Sequence, residues 1–141
     1  MVVKAQEVTI TLKTIQTQAN DVEEYDLETK GELFQKGETL YLRYEEELEG
    51  QSIKTTFKIK DEQLLLTRRE RALSSSLDLR PGQLTTTRYQ TQYGALYLEV
   101  NCLEYTFKRV DEKTGQLKAT YELSNGQEIL GKYKLRLQFK A

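Results

Sequence analysis

The sequence predicts an all-β fold: a single closed antiparallel up-and-down β-barrel of about eight to ten strands, in one domain over residues 1–141. Apolar and polar residues alternate with period two along most of the chain, as half-buried strands require. Eight glycines and one proline leave room only for short connections, so the strands are long. Turn signals separate the alternating segments one after another. A sheet of about ten sequentially joined strands most simply removes both exposed edges by closing on itself.

From the N-terminus, Val8 to Leu12 alternate as the first strand, and Ile15 falls out of phase, so a register slip is expected between Leu12 and Ile15. In the next strand Tyr25, Leu27, Thr29 and Leu33 share a face with Gly31. Leu40, Leu42 and Tyr44 follow, then Ile53, Thr55, Phe57 and Ile59 opposite Lys54, Thr56, Lys58 and Lys60. The acidic stretch Glu45 to Gly50 between them lacks the spaced ligands of an EF-hand and reads as a solvated hairpin tip.

Residues 61–73 allow two readings, because Asp61 suits an N-cap and the run is rich in helix formers, yet it shows no clear amphipathic stripe. A short helix or a strand, turn and strand both fit. Arg80-Pro81-Gly82-Gln83 is a turn, with proline and glycine at its two central positions. Leu96, Leu98, Val100 and Cys102 keep one phase while Leu103, Tyr105 and Phe107 keep the other. One extra residue in a strand has that effect, so a β-bulge is expected near Asn101 to Leu103. Leu117 to Leu123 and Ile129 to Phe139 alternate cleanly, joined through Asn125-Gly126, a pair suited to a type I′ hairpin turn.

The missing residue types exclude whole classes of chemistry. Without histidine there is no imidazole base, no histidine-dependent nucleophile and no histidine metal ligand. Cys102, the one cysteine, lies in an apolar run and reads as a small buried hydrophobe. No cofactor or metal site is expected. The formal charge of −1 gives no general attraction to nucleic acid or membrane, although residues 1–70 carry 10 basic and 15 acidic groups and residues 71–141 carry 11 and 7. With no signal-like or 18-residue apolar segment, a cytoplasmic location is expected.

Tyr89 to Val100 (YQTQYGALYLEV) and Leu40 to Glu45 (LYLRYE) resemble the YwiB family of Gram-positive bacteria, with Tyr93-Gly94 opening a long alternating strand as the most recognisable element. The similarity runs over nearly the whole chain. It implies a small cytoplasmic protein of unknown function with a calycin-like, lipocalin-related barrel, and it favours two strands over a helix at 61–73. The chain departs from that pattern at Arg68-Arg69-Glu70-Arg71, where relatives have a glycine-containing turn, and at Cys102, where a threonine is expected. The resemblance brings no catalytic motif.

A barrel of this size is either filled by side chains or holds one small ligand. Nine tyrosines, including Tyr25, Tyr44, Tyr121 and Tyr133 on inward faces, suit a wall that must also offer hydroxyls. The segment Leu84 to Tyr93 has no apolar face: either Thr85, Thr87, Tyr89, Thr91 and Tyr93 point inward, or Arg88 does and can receive an anion, or the strand is simply wet. The cluster Arg68, Arg69 and Arg71 reads as a solvated turn, and Ser74 to Ser76 as strand surface. The leading expectation is a non-enzymatic barrel binding a small, partly apolar molecule, with Tyr44, Arg88, Tyr89 and Tyr93 as wall residues. The alternative is a filled barrel serving as a protein-interaction or homodimerisation module through exposed residues such as Tyr41 or Tyr97. An enzyme with Glu99 beside Arg88 or Tyr89 ranks third.

Overall fold

Ten antiparallel strands follow one another around a closed barrel in which each pairs with its sequence neighbours and the last pairs with the first. The structure, a computed structural model, describes residues 5–71 and 73–141, with the side chains of Leu48 and Thr91 outside the described ones. The strands are β1 (Gln6–Gln18), β2 (Asp21–Lys36), β3 (Thr39–Leu48), β4 (Gln51–Ile59), β5 (Leu64–Glu70), β6 (Leu73–Leu79), β7 (Leu84–Thr91), β8 (Gly94–Asp111), β9 (Thr114–Ser124) and β10 (Ile129–Lys140). Closure occurs in the β1–β10 ladder, where Ile10 opposes Phe139 and Leu12 opposes Leu137. No helix of the described residues is long and apolar enough to cross a membrane.

Period two decides the interior. Val8, Ile10, Leu42, Phe57, Ile59, Leu64, Leu79, Val100, Leu117, Leu137 and Phe139 are fully buried and form one continuous apolar cluster. Their strand neighbours Lys58, Lys118, Arg136 and Gln138 lie on the outer side of the same strands. Burial of such side chains stabilises by about 1.5–3 kcal/mol each, so this half of the barrel supplies most of the driving force for closure. Phe139 lies near-parallel to Phe107 with ring centroids 6.4 Å apart. The Tyr105 hydroxyl donates to the Lys60 carbonyl at 2.6 Å, tying β8 to the β4–β5 connection. Tyr105→Phe is expected to lower stability by about 1 kcal/mol without changing the strand content, read by urea denaturation followed by circular dichroism.

Several expectations are settled by these ladders. The bulge lies at Leu103, where the β8–β9 register shifts between Cys102 and Glu104. The described residues of 61–73 are not a helix; they give β5, the start of β6 and the turn at Arg71, which has φ 43°. The expected slip between Leu12 and Ile15 is absent, since β1 pairs in unbroken register with β2 and β10 through both residues. Instead the inward phase turns polar after Leu12, through Thr14 and Gln16, and Ile15 lies on the other phase. The Asn125-Gly126 hairpin forms, but not as a two-residue type I′ turn. Asn125 keeps a negative φ, and its side-chain oxygen accepts from the amides of Gln127 and Glu128, making a four-residue loop. The register then shifts between Ile129 and Gly131.

Two seams are looser than the rest. β2 pairs with β3 only from Glu32/Arg43 to Lys36/Thr39, while Asp21 to Gly31 pair with β1 alone and Tyr44 to Leu48 with β4 alone. Likewise β6 and β7 pair only over Ser74–Ser76 and Arg88–Gln90. At the end carrying the 37–38, 60–63 and 112–113 turns β2 and β3 are paired, while β6 and β7 are unpaired beyond Ser76 and Arg88. The barrel is parted between β2 and β3 at the other end.

Candidate functional site

The parted end is where the inward rows change from aliphatic to polar. One row runs across five strands in register: Tyr44 opposes Thr55, Thr55 opposes Arg68, Arg68 opposes Ser75, and Ser75 opposes Tyr89. Tyr121 and Tyr133 complete the ring from β9 and β10, stacked at 5.0 Å. Glu46 stands one inward step beyond Tyr44, with its side chain only 10% exposed, and its carboxylate meets Arg68 at 3.7 Å. The Tyr25 hydroxyl donates to the same carboxylate at 2.7 Å across the β2–β3 gap. An ion pair and five tyrosines thus share one end of the barrel.

Burial sets the chemistry of these groups. Desolvation, and then the neighbouring Glu46 carboxylate, push Tyr25 up to about 12. Tyr44 is pushed up to about 12, chiefly by burial. Burial also raises Tyr89, Tyr121 and Tyr133. All five are therefore neutral donors at physiological pH. Thr55 is 2% exposed and its hydroxyl lies beside that of Tyr44, yet it makes no hydrogen bond of normal geometry. Beside this row a recess of about 200 Å³ opens, lined by Ile53, Arg68, Glu70, Leu73, Ser75 and Tyr89 among others.

Of the four wall residues expected from sequence, the structure brings Tyr44 and Tyr89 inside and leaves two outside. Arg88 points outward and bonds to Gln90, because the inward phase of β7 is Thr85, Thr87 and Tyr89. Tyr93 is 92% exposed in the β7–β8 turn. The threonines do not line a cavity with their hydroxyls either. Thr85 donates to the Asp78 carbonyl at 2.6 Å and Thr87 to the Ser76 carbonyl, so they replace backbone pairing along the loose β6–β7 seam. The Thr91 side chain lies outside the described ones. Glu99 follows the outward phase of β8, away from the Tyr89 ring of tyrosines.

Arg68 and Glu46 were not expected here: one reads as part of a solvated turn, the other as part of a solvated tip. Their signal is phase. Glu46 continues Leu40, Leu42 and Tyr44, and Arg68 continues Leu64 and Leu66, so both are charges on inward positions. Among the described residues no group of three or more carboxylates, cysteines or histidines is placed to hold a metal ion. Cys102 is a buried thiol whose pKa is raised by burial.

Residues 10–137 match the family described as a domain of unknown function, DUF1934. The chain belongs to the DUF1934 family. No curated protein sequence matches it. Among solved structures it is similar to the YwiB protein of Bacillus subtilis, at 20% identity and a TM-score of 0.86, over 99% of this chain and 94% of that one. At that identity the likeness carries the fold. The ten-strand barrel of this DUF1934 member is therefore the YwiB-like one that its sequence resembles.

Proposed function

We propose that the protein is a non-enzymatic binding barrel that takes a small, partly apolar anion at its tyrosine end. The observation that carries this reading is the Arg68–Glu46 pair, two charges on inward positions, with Arg68 lining a recess walled by Ile53, Leu73 and Tyr89. An anion would exchange one of the Glu46 contacts for its own on Arg68, and Tyr89, Leu73 and Ile53 would cover its apolar part. The recess is below the roughly 300–1,000 Å³ of ordinary ligand pockets, so the ligand is small or only partly enclosed. With neutral tyrosines, one guanidinium and no histidine, the site suits binding better than turnover. The buried thiol fits the reducing cytoplasm.

Benzoate is a suitable probe. Titrated into the labelled protein, it should shift the amide resonances of Arg68, Ser75 and Tyr89 in particular. Arg68→Gln should weaken that binding about tenfold or more, the loss of one charge-assisted hydrogen bond. Absence of localised shifts, or affinity unchanged in Arg68→Gln, would discard the proposal. The second reading, an interaction module, is favoured by the exposed Leu84, Leu96, Tyr97 and Leu103 on β7 and β8.

A further inference from the structure

Strands β1 to β7 line an open groove of about 1020 Å³. It borders the interior row at Tyr44, Thr55, Arg68 and Ser75, and most of its other side chains belong to the opposite strand phase. Six cations of the outward phase line it: Lys30, Arg43, Lys54, Lys58, Arg69 and Arg88, against Glu7, Glu32 and Glu45. The three carboxylates already have partners. Glu7 meets Lys30 at 3.4 Å, Glu32 meets Arg43 at 3.6 Å, and Glu45 accepts from the Ser52 hydroxyl. Among the described residues Lys54, Lys58, Arg69 and Arg88 have no carboxylate partner. The overall charge of −1 conceals this segregation.

Register makes the arrangement more specific. Lys54 and Arg69 are directly opposed across β4 and β5, a like-charge pair whose in-register carboxylate is Glu45, opposite Lys54 on β3. Alongside runs a row in which Arg43 opposes Thr56, Thr56 opposes Thr67, Thr67 opposes Ser76 and Ser76 opposes Arg88. Hydroxyl donors therefore bridge from one guanidinium to the other. At a strand spacing of about 4.8 Å the row spans roughly 19 Å along the sheet, far more than one phosphate can occupy. Cations set among hydroxyls in a concave, polar trough match the donor needs of phosphate oxygens.

We infer that this groove binds a linear chain of phosphates, whether free polyphosphate or the backbone of a single nucleic-acid strand. Lys54 and Arg69 hold one phosphate between them. Arg43, Arg88 and the hydroxyl row hold the next ones in line. The test is calorimetric titration of the intact protein at low salt with tripolyphosphate, with inorganic phosphate and with an eight-residue oligothymidylate. Tripolyphosphate should bind with an affinity that falls steeply with salt, and more tightly than inorganic phosphate by at least about tenfold.

Arg69→Glu should weaken tripolyphosphate by about tenfold or more while leaving the melting temperature at or above the wild-type value, since it places opposite charges at the Lys54 pair. Arg88→Glu should weaken it independently. An oligothymidylate that binds more tightly than tripolyphosphate identifies the strand backbone as the source, and a weaker one identifies free polyphosphate. Absence of tripolyphosphate binding, equal affinity for inorganic phosphate, or affinity unchanged in both variants would overturn the inference. Arg68 and Arg69 border both sites, whereas Arg88 lines only the groove, so tripolyphosphate binding weakened in Arg88→Glu with benzoate binding unchanged separates the two proposals.

Discussion

Gly31→Ala is expected to be the most damaging single-methyl change in the protein, lowering stability by about 3 kcal/mol or more. A β-carbon at Gly31 would stand 2.5 Å from the Arg43 carbonyl oxygen, 2.5 Å from the Ile10 Cδ1 and 3.3 Å from the Tyr44 Cβ. The first contact is with backbone, which cannot turn aside, and the second is with a fully buried core side chain. The position is also structural in a larger sense. Gly31 is the residue next to Glu32, the last to pair with β3, so the missing side chain lets β2 pass close over Arg43 and Tyr44 before the strands part. Pushing β2 away would loosen the β2–β3 ladder and with it the Tyr25–Glu46 bond across the gap. Gly37→Ala is the natural comparison, because nothing lies within 4 Å of its added carbon and the cost is only that of a φ of 62°, about 1 kcal/mol. Urea unfolding of both variants checks the contrast, and a Gly31→Ala midpoint within error of wild type would refute the packing argument.

How much of this fold a reader can extract from the residues alone depends on which physical signal each feature leaves. Alternation is strong because a strand has only two faces, and it places Leu135, Leu137 and Phe139 inward without ambiguity. The bulge at Leu103 is legible for the same reason, since one inserted residue inverts every later side chain. The expected slip after Leu12 is absent because the inward phase of a strand need not stay apolar. The inward phase continues through Thr14 and Gln16, whose polarity belongs to the open end of the barrel. Asn125-Gly126 fails differently: Asn125 spends its side chain on two amides of its own loop, a local bond that competes with the tight turn.

The interior row is harder to read because it is made of register. Tyr44, Thr55, Arg68, Ser75 and Tyr89 come from five strands, and the offset between neighbouring strands is fixed by turn geometry that the sequence states only loosely. Tyr44 and Tyr89 are accessible as aromatic residues on alternating segments. Arg68 becomes accessible only once residues 61–73 are read as two strands, since a helix would place it on a different face. Arg88 is the unusual charge in a hydroxyl-rich strand, but Thr85, Thr87 and Tyr89 hold the inward phase there. The hydroxyls of Thr85 and Thr87 are occupied with the β6 backbone.

The buried tyrosines also dictate how the barrel should respond to alkali. It should stay folded up to about pH 10 and then unfold cooperatively as pH rises towards 12. An unfolded tyrosine titrates near 10. In the folded barrel Tyr44 is pushed up to about 12 by burial, and Tyr105 and Tyr121 are raised as well, also chiefly by burial. A raised folded pKa means that the unfolded chain releases its protons first, so the stability these groups contribute is complete below pH 10 and is lost as pH climbs through the folded values. Each such group gives a slope of about 1.4 kcal/mol per pH unit. Tyr44, Tyr105 and Tyr121 are each at most 9% exposed, and together they give about 4 kcal/mol per unit over this window. A typical net stability of about 5–15 kcal/mol is then largely consumed within two to three units. The measurement is a pH titration that follows strand circular dichroism and tyrosinate absorbance together. The absorbance of the buried tyrosines should change in the same step as the strand signal, and Tyr121→Phe should make that step shallower. A smooth tyrosinate titration of all nine tyrosines near pH 10, with the strand signal intact, would show that the ring of tyrosines is open to water.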